Sequence, residues 1–274
     1  MASVIYREHR FNHVVYTVDL AGTYITVTVT ASASVIKRWI SSTLYFSRHF
    51  VYLQRLVVGL GVQWTPGGSD PPPDTLQLCV GRRCLIVQLR QADGVPESLR
   101  TFLNDPSHTF VGFWNYSDRK KLKYSEHELE MRRDPVDLRR CIENLTQASV
   151  EEIVEKCLGY RVLQRREISM SAWYHECLSN DQVAYATVDA HCAFLIGYSI
   201  VLCQPCLLLF DIVDGGSDFS CRDSESDGVD CASHVVFTLS VDSIPHVNST
   251  LHSDSVSSAD SALHSDSVSR LCSA

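Results

Sequence analysis

Two polar residues in the second half of the chain, Tyr185 and Asp189, stand four apart in Gln182-Val-Ala-Tyr-Ala-Thr-Val-Asp-Ala190. Ser179-Asn-Asp-Gln182 just before them has the form of a capping box, so the spacing predicts a helix carrying both side chains on one face. Ala184, Ala186 and Ala190 are small, which lets that helix approach a sheet closely. A carboxylate held this way is a hard oxygen donor of the kind Mg²⁺ prefers. A Tyr-x-x-x-Asp pattern alone occurs on many helices and assigns no role. A further acid, Asp118, heads a basic run of Arg119, Lys120, Lys121 and Lys123. That run suits phosphate contact, a solvated face, or a nuclear-import patch; the sequence leaves all three open.

Other chemistries find less support. Cys203-x-x-Cys206 is one close thiol pair, but structural zinc sites favour two, and Cys221 and Cys231 are too far apart to form the second. The eleven cysteines follow no repeating spacing, as expected for free thiols in a reducing compartment. No Gly-x-Gly-x-x-Gly, Walker loop or Gly-x-Ser-x-Gly is present.

The elements that must position the acids can be read in order. Apolar alternation over His13–Thr30, on both sides of Gly22-Thr23, predicts a β-hairpin. Ser34–Arg48 reads as an amphipathic helix. Leu56-Val-Val-Gly-Leu-Gly-Val-Gln-Trp64 is a short apolar run, the form of a strand buried on both faces. Thr65–Asp74 is a Pro/Gly-rich loop. Leu76–Val80 and Arg83–Leu89 flank Gly81-Arg82, which suits a type II′ hairpin. Pro96–Leu103 reads as a short helix and Thr109–Phe113 as another strand. Ser149-Val-Glu-Glu152 is a second capping box, opening a helix that stops at Gly159. Strands come first with one connecting helix and further helices come later, which describes a mixed α/β or α+β layer fold.

Charge divides the chain. Residues 1–206 hold 21 acids and 22 bases, near +1; residues 207–274 hold 11 and 2, near −9, which together give the net −8. The acidic balance therefore belongs to the tail and does not argue against nucleic-acid binding by the body. The tail is rich in Ser and Asp, repeats Leu-His-Ser-Asp-Ser-Val-Ser at 251–257 and 263–269, and offers one isolated strand candidate, Val235–Val241. Residues 1–206 are expected to be the folded domain and 207–274 a mostly disordered acidic tail. No signal peptide is visible at the N-terminus. Ala190–Phe210 lacks charge over 21 residues, long enough to span a bilayer. Its His191, three cysteines and Gln204-Pro205 favour a buried helix, so no membrane partner is expected.

Four segments in order, together covering about residues 10–202, resemble the Werner-type branch of the DEDDy 3′-5′ exonucleases, relatives of ribonuclease D. They are Val58–Trp64, where the family reads V-G-x-D-x-E-W; Leu76–Leu89; Phe110–Leu122, with Asp118 in a D-x-x-K-L pattern; and Tyr185-Ala-Thr-Val-Asp-Ala190, matching Y-A-x-x-D-A. Trp173 and Leu178-Ser179 also stand where the family has them. The resemblance implies an α/β, ribonuclease H-like 3′-5′ exonuclease fold, a mixed sheet of five or six strands flanked by helices, and two-metal hydrolysis of phosphodiesters, with Mg²⁺ or Mn²⁺ held by four carboxylates. Asp118 and Asp189 would be metal ligands, with Tyr185 orienting the water. Trp64 and Lys121 would touch substrate, though Trp64 reads equally well as a core aromatic. The partners implied are DNA or RNA 3′ ends, in nucleus or cytosol, and a second copy or an active paralogue.

This sequence departs from the pattern at two points. Gly61 stands where the family has Asp and Gln63 where it has Glu. Gly61 brings no ligand; Gln63 keeps an oxygen and loses the charge. Asp70 and Asp74 are the nearest acids along the chain, and either would need the loop to fold back to substitute. The expected consequence is a 3′-5′ exonuclease-family protein with weak or lost turnover; the alternative is an inactive nucleic-acid-binding or partner-regulating module.

Overall fold

The computed structural model describes residues 2–203. The acidic tail, its repeats, the Val235–Val241 strand and most of the Cys203-x-x-Cys206 pair lie outside the described residues. The elements are β1 (Ser3–Arg10), β2 (His13–Leu20), β3 (Thr23–Thr30), α1 (Ala33–Phe46), α2 (Arg48–Tyr52), β4 (Leu56–Gln63), β5 (Thr75–Val80), β6 (Arg83–Gln88), α3 (Glu97–Asn104), β7 (His108–Gly112), α4 (Asp118–Lys123), β8 (Val136–Asp137), α5 (Leu138–Cys141), α6 (Val150–Leu158), α7 (Arg166–Ser169) and α8 (Asn180–Cys203). One mixed sheet orders its strands β1-β2-β3-β6-β5-β4-β7-β8. The pairs β3–β6, β4–β7 and β7–β8 are parallel and the rest antiparallel.

Eight strands replace the expected five or six. Residues 3–10 carry no apolar alternation, and β1 is ordered by backbone pairing with β2 at the sheet edge. The other addition, β8, is two residues long. In the β2–β3 hairpin the turn falls on Ala21 and Gly22, one residue earlier than expected. Both have positive φ, 51° and 83°, as a type I′ turn requires. Its strands pair Tyr16 with Val27 and Val18 with Ile25, so the two apolar sets fall on one face as expected.

Two cores sandwich the sheet. Alternate residues of β4 separate between them: Leu56, Val58, Leu60 and Val62 pack with Ile36 and Trp39 of α1 and Leu99 and Phe102 of α3. Val57 packs with the α8 layer. Period-two alternation puts Gly59, Gly61 and Gln63 on that second face. A Cβ at Gly59 would lie 1.9 Å from the Ala190 carbonyl oxygen, so the α8 backbone rests directly on this strand. Buried Ala186, Ala190 and Ala193 complete the close approach.

Helix α8 is long and apolar enough to cross a membrane, but 72% of that window is buried inside the protein, as a core helix would be. Both capping boxes form: Ser149 with Glu152, and Ser179 with Gln182.

Candidate active site

The contact of α8 with β4 brings the site together. Seating Ala190 on Gly59 sets Asp189 over the end of β4, where the Gln63 Nε2 amide donates to Asp189 Oδ2 at 3.1 Å. The other carboxylate oxygen, Oδ1, accepts from Gln164 Nε2, which also donates to the Tyr185 carbonyl at 3.2 Å. Both oxygens of Asp189 thus face amide N–H groups.

Asp118 opens α4 and is buried. Burial is the main cause that raises its carboxyl to about 7, and the Asp189 charge pushes in the same direction. Asp189 also rises to about 7, mainly by burial; the Gln164 hydrogen bond works against this and the Glu151 charge adds to it. Tyr185 packs edge-on against Trp173, with ring centroids 6.0 Å apart. Burial, then the Asp189 charge, pushes its hydroxyl well up. Asp118, Asp189 and Tyr185 therefore share one electrostatic environment.

Gly61 is filled from the neighbouring strand. A Cβ there would meet Gln77 Oε1 at 2.8 Å, and Gln77 is fully buried on β5 directly opposite in register. Its Nε2 donates to Thr75 Oγ1 at 2.6 Å, while Oε1 has no protein partner. Gln164 Oε1 is likewise buried without a partner. Three neutral glutamines, at 63, 77 and 164, therefore line a site otherwise charged by Asp118 and Asp189.

The loop acids do not make up the deficit. Asp74 is buried with Oδ2 accepting from the Thr65 amide at 2.7 Å and from its hydroxyl. Asp70 does come back toward α4, but to pair with Lys121 Nζ at 2.8 Å. The same Nζ donates to the Pro71 carbonyl and lies 4.5 Å from the Trp64 ring centroid. Trp64 and Lys121 are thus brought together, with Lys121 tied to the loop.

Sequence reading missed Gln164, Gln77, Glu151 and Asp137. Gln164 sits between helices in Arg161–Arg165, where no periodicity or motif singles it out. By sequence Glu151 is only a first-turn residue of α6; in the fold its carboxylate accepts from the Gln164 backbone N–H at 2.9 Å, and its charge acts on Asp189. Asp137, at the end of β8, acts on Asp118 by its charge.

Two adjacent Mg²⁺ or Mn²⁺ ions need several anionic oxygens to balance their charge. Here Asp118 and Asp189 remain, and Asp189 already accepts two amide donors. Among the described residues no three His, Cys, Asp or Glu side chains converge on one point. The residues present do not fit a two-metal centre.

The raised carboxyls predict an unusual pH profile. In the unfolded chain both Asp side chains ionise near about 3.9, while in the fold they ionise near 7. Between these values the folded state holds protons that the unfolded chain has lost. Stability therefore falls as pH rises through that window and is level above it. Asp189→Asn is expected to stabilise the protein by on the order of 2 kcal/mol at pH 8 and to leave it near wild type at pH 4. Gln164 can turn its unpartnered oxygen to the new amide. Thermal melts at the two pH values check this; equal effects at both would contradict it.

Known proteins agree with this fold. The family described as 3′-5′ exonuclease matches residues 75–200, beginning after β4. The candidate 3′-5′ exonuclease R431 of Acanthamoeba polyphaga mimivirus is 26% identical over 183 residues, 62% of this chain and 44% of that protein. The bifunctional 3′-5′ exonuclease/ATP-dependent helicase WRN of Mus musculus is 27% identical over 149 residues, 51% of this chain and 10% of that protein. The chain spans less than half the length of these curated relatives. The catalytic core of RRP6 from Trypanosoma brucei superposes with a TM-score of 0.52 at 14% identity, covering 68% of this chain and 50% of that one.

Proposed function

Residues 75–200 are a 3′-5′ exonuclease-family domain of ribonuclease H-like fold, and from that premise we propose that the protein holds nucleic-acid 3′ ends with weak or no hydrolysis of them. The observation that carries this reading is the Gln63 Nε2–Asp189 Oδ2 hydrogen bond. In the four-acid pattern a Glu at position 63 would set two carboxylates facing each other, an arrangement that only a cation or a shared proton relieves. Here an amide N–H supplies the positive end of the contact directly. Gly61 removes the remaining acid of β4, and Gln77 fills its space. On this reading the site keeps Asp118 and Asp189 and lacks the two further acids of the four-acid pattern.

The charge distribution is compatible with nucleic acid as the partner, although Arg119, Lys121 and Lys123 of the basic run pair with Asp134, Asp70 and Glu130. The net −8 comes from residues 207–274, proposed as a separate acidic tail, so residues 1–206, proposed as the folded domain, are near neutral overall with a cationic run along α4. DNA and RNA ends both fit this description, as does residence in nucleus or cytosol. A protein that binds ends without cutting them would act by occupying ends or by pairing with an active paralogue.

This reading predicts that binding does not depend on a metal. Fluorescence anisotropy of a labelled single-stranded oligonucleotide with the full chain is expected to give the same affinity in EDTA and in Mg²⁺, after correction for ionic strength, and to weaken steeply with salt. Binding that vanishes in EDTA would contradict it.

A further inference from the structure

Trp114 takes no part in the contacts among Asp118, Asp189 and Tyr185, although the chain holds it at some cost. It lies in the turn between β7 and Asp118, with φ of 52°, a left-handed conformation that bulky residues avoid. The next residue, Asn115, is buried and pins the turn by donating to the Val136 carbonyl at 3.1 Å. Beneath the indole sits Arg139, with its guanidinium carbon 3.5 Å from a ring centroid of Trp114.

Arg139 is a built support. It is 5% exposed, and the edge of its guanidinium is taken up: Nε donates to Asp137 Oδ1 at 3.0 Å, Nη2 to Asp137 Oδ2, and Nη1 to the Thr146 carbonyl at 2.8 Å. Only its flat face is left, and Trp114 covers it. With one ring face so occupied, Trp114 is still 43% exposed. The support also touches the site, because the Asp137 that Arg139 grips acts by charge on Asp118. Lys120, two residues past Asp118, and Arg140, next to Arg139, are exposed cations.

We propose that the open face of Trp114 is a stacking shelf for one nucleobase of a single strand whose 3′ end lies at Asp118 and Asp189. This rests on the nucleic-acid reading above and adds the residue that positions the strand. A strained aromatic propped from below by a buried cation, with exposed cations close by along the chain, has the parts that sequence-tolerant single-strand binding uses: a π-face for the base and positive charge for the backbone. A cation under one face of the indole strengthens its grip on that side and leaves the other for the base.

The test uses the full chain and a fluorescein-labelled twelve-residue oligothymidylate, alongside a set in which one base at a time is replaced by an abasic tetrahydrofuran. Three proteins are compared: wild type, Trp114→Gly and Trp114→Tyr. Glycine suits the positive φ, so this variant keeps its fold, which a thermal melt verifies. Trp114→Gly is expected to lower affinity about tenfold, the scale of one lost base–aromatic stack, with an unchanged salt slope because no phosphate contact is lost. Trp114→Tyr is expected to stay within about threefold, since a phenol also stacks. One abasic position should cost wild type the same factor and cost Trp114→Gly nothing more. Wild-type affinity in Trp114→Gly, or abasic losses that add to the variant's at every position, would overturn the shelf alone. Failure of wild type to bind any oligonucleotide would overturn the nucleic-acid reading and the shelf with it.

Discussion

Gly61→Asp combined with Gln63→Glu is expected to create Mg²⁺- or Mn²⁺-dependent 3′ trimming at least about a hundredfold above wild type, a range that changes outside the ligand shell already reach in metal sites. The two substitutions act through different contacts. Gln63→Glu replaces the amide that donates to Asp189 and sets two carboxylates face to face. Gly61→Asp brings a further acid, and the new Cβ displaces Gln77 Oε1, which lies 2.8 Å from that position. That oxygen is the free end of a flexible side chain and has no partner to lose, so the movement costs at most the Gln77–Thr75 hydrogen bond. Without metal the variant should melt below wild type, because like charges then crowd a buried site. Added Mn²⁺ should restore its melting temperature, as a ligand that binds only the folded state does. Gln63→Glu alone should show the destabilisation with little activity. A double variant indifferent to Mn²⁺ in both melt and digest would show that β4 is not where the site lost its function.

Gly59→Ala is the second large effect, and it acts on the fold. The new Cβ would overlap the Ala190 carbonyl oxygen at 1.9 Å and approach the Phe194 amide at 2.9 Å. These are backbone atoms of α8, so no side-chain rotation relieves the clash and the whole helix must lift from the sheet. The expected cost is about 3 kcal/mol or more, at the upper end for overpacked cores, with loss of the Gln63–Asp189 contact. Gly197→Ala is the matched control. Its Cβ would meet the Val111 side chain at 2.8, 2.9 and 3.1 Å, side-chain rather than backbone atoms, and alanine gains helix propensity of about 1 kcal/mol. It should cost clearly less than Gly59→Ala. Urea midpoints of the two variants measure the difference.

Much of the frame was legible because local signals there have local causes. The capping boxes at Ser149 and Ser179, the alternation in β2 and β3, and the apolar run of β4 each follow from the residues within one element. The placement of Tyr185 and Asp189 on one face also follows from helical spacing alone. Strand β1 was not legible, since Val4, Ile5 and Tyr6 run together without alternation before a charged stretch, and its order comes from β2. The inner lining of the site was hidden for a similar reason. Gln164 reaches Asp189 from a connecting segment, and Gln77 reaches Gly61 across the sheet; neither distance along the chain nor residue type announces such a contact. The loop acids show the converse. Asp70 and Asp74 have the right chemistry, but Lys121 and Thr65 take them up before they can reach Asp189.

The most direct test is a digest of a 3′-labelled recessed DNA end and a single-stranded RNA by the pure full chain, with Mg²⁺ or Mn²⁺, beside Asp189→Ala. Both substrates are expected to emerge at full length, with wild type indistinguishable from the variant. Metal-dependent shortening from the 3′ end by wild type, absent in Asp189→Ala, would show that Asp118 and Asp189 suffice for turnover, and would contradict the loss of catalysis attributed to Gly61 and Gln63.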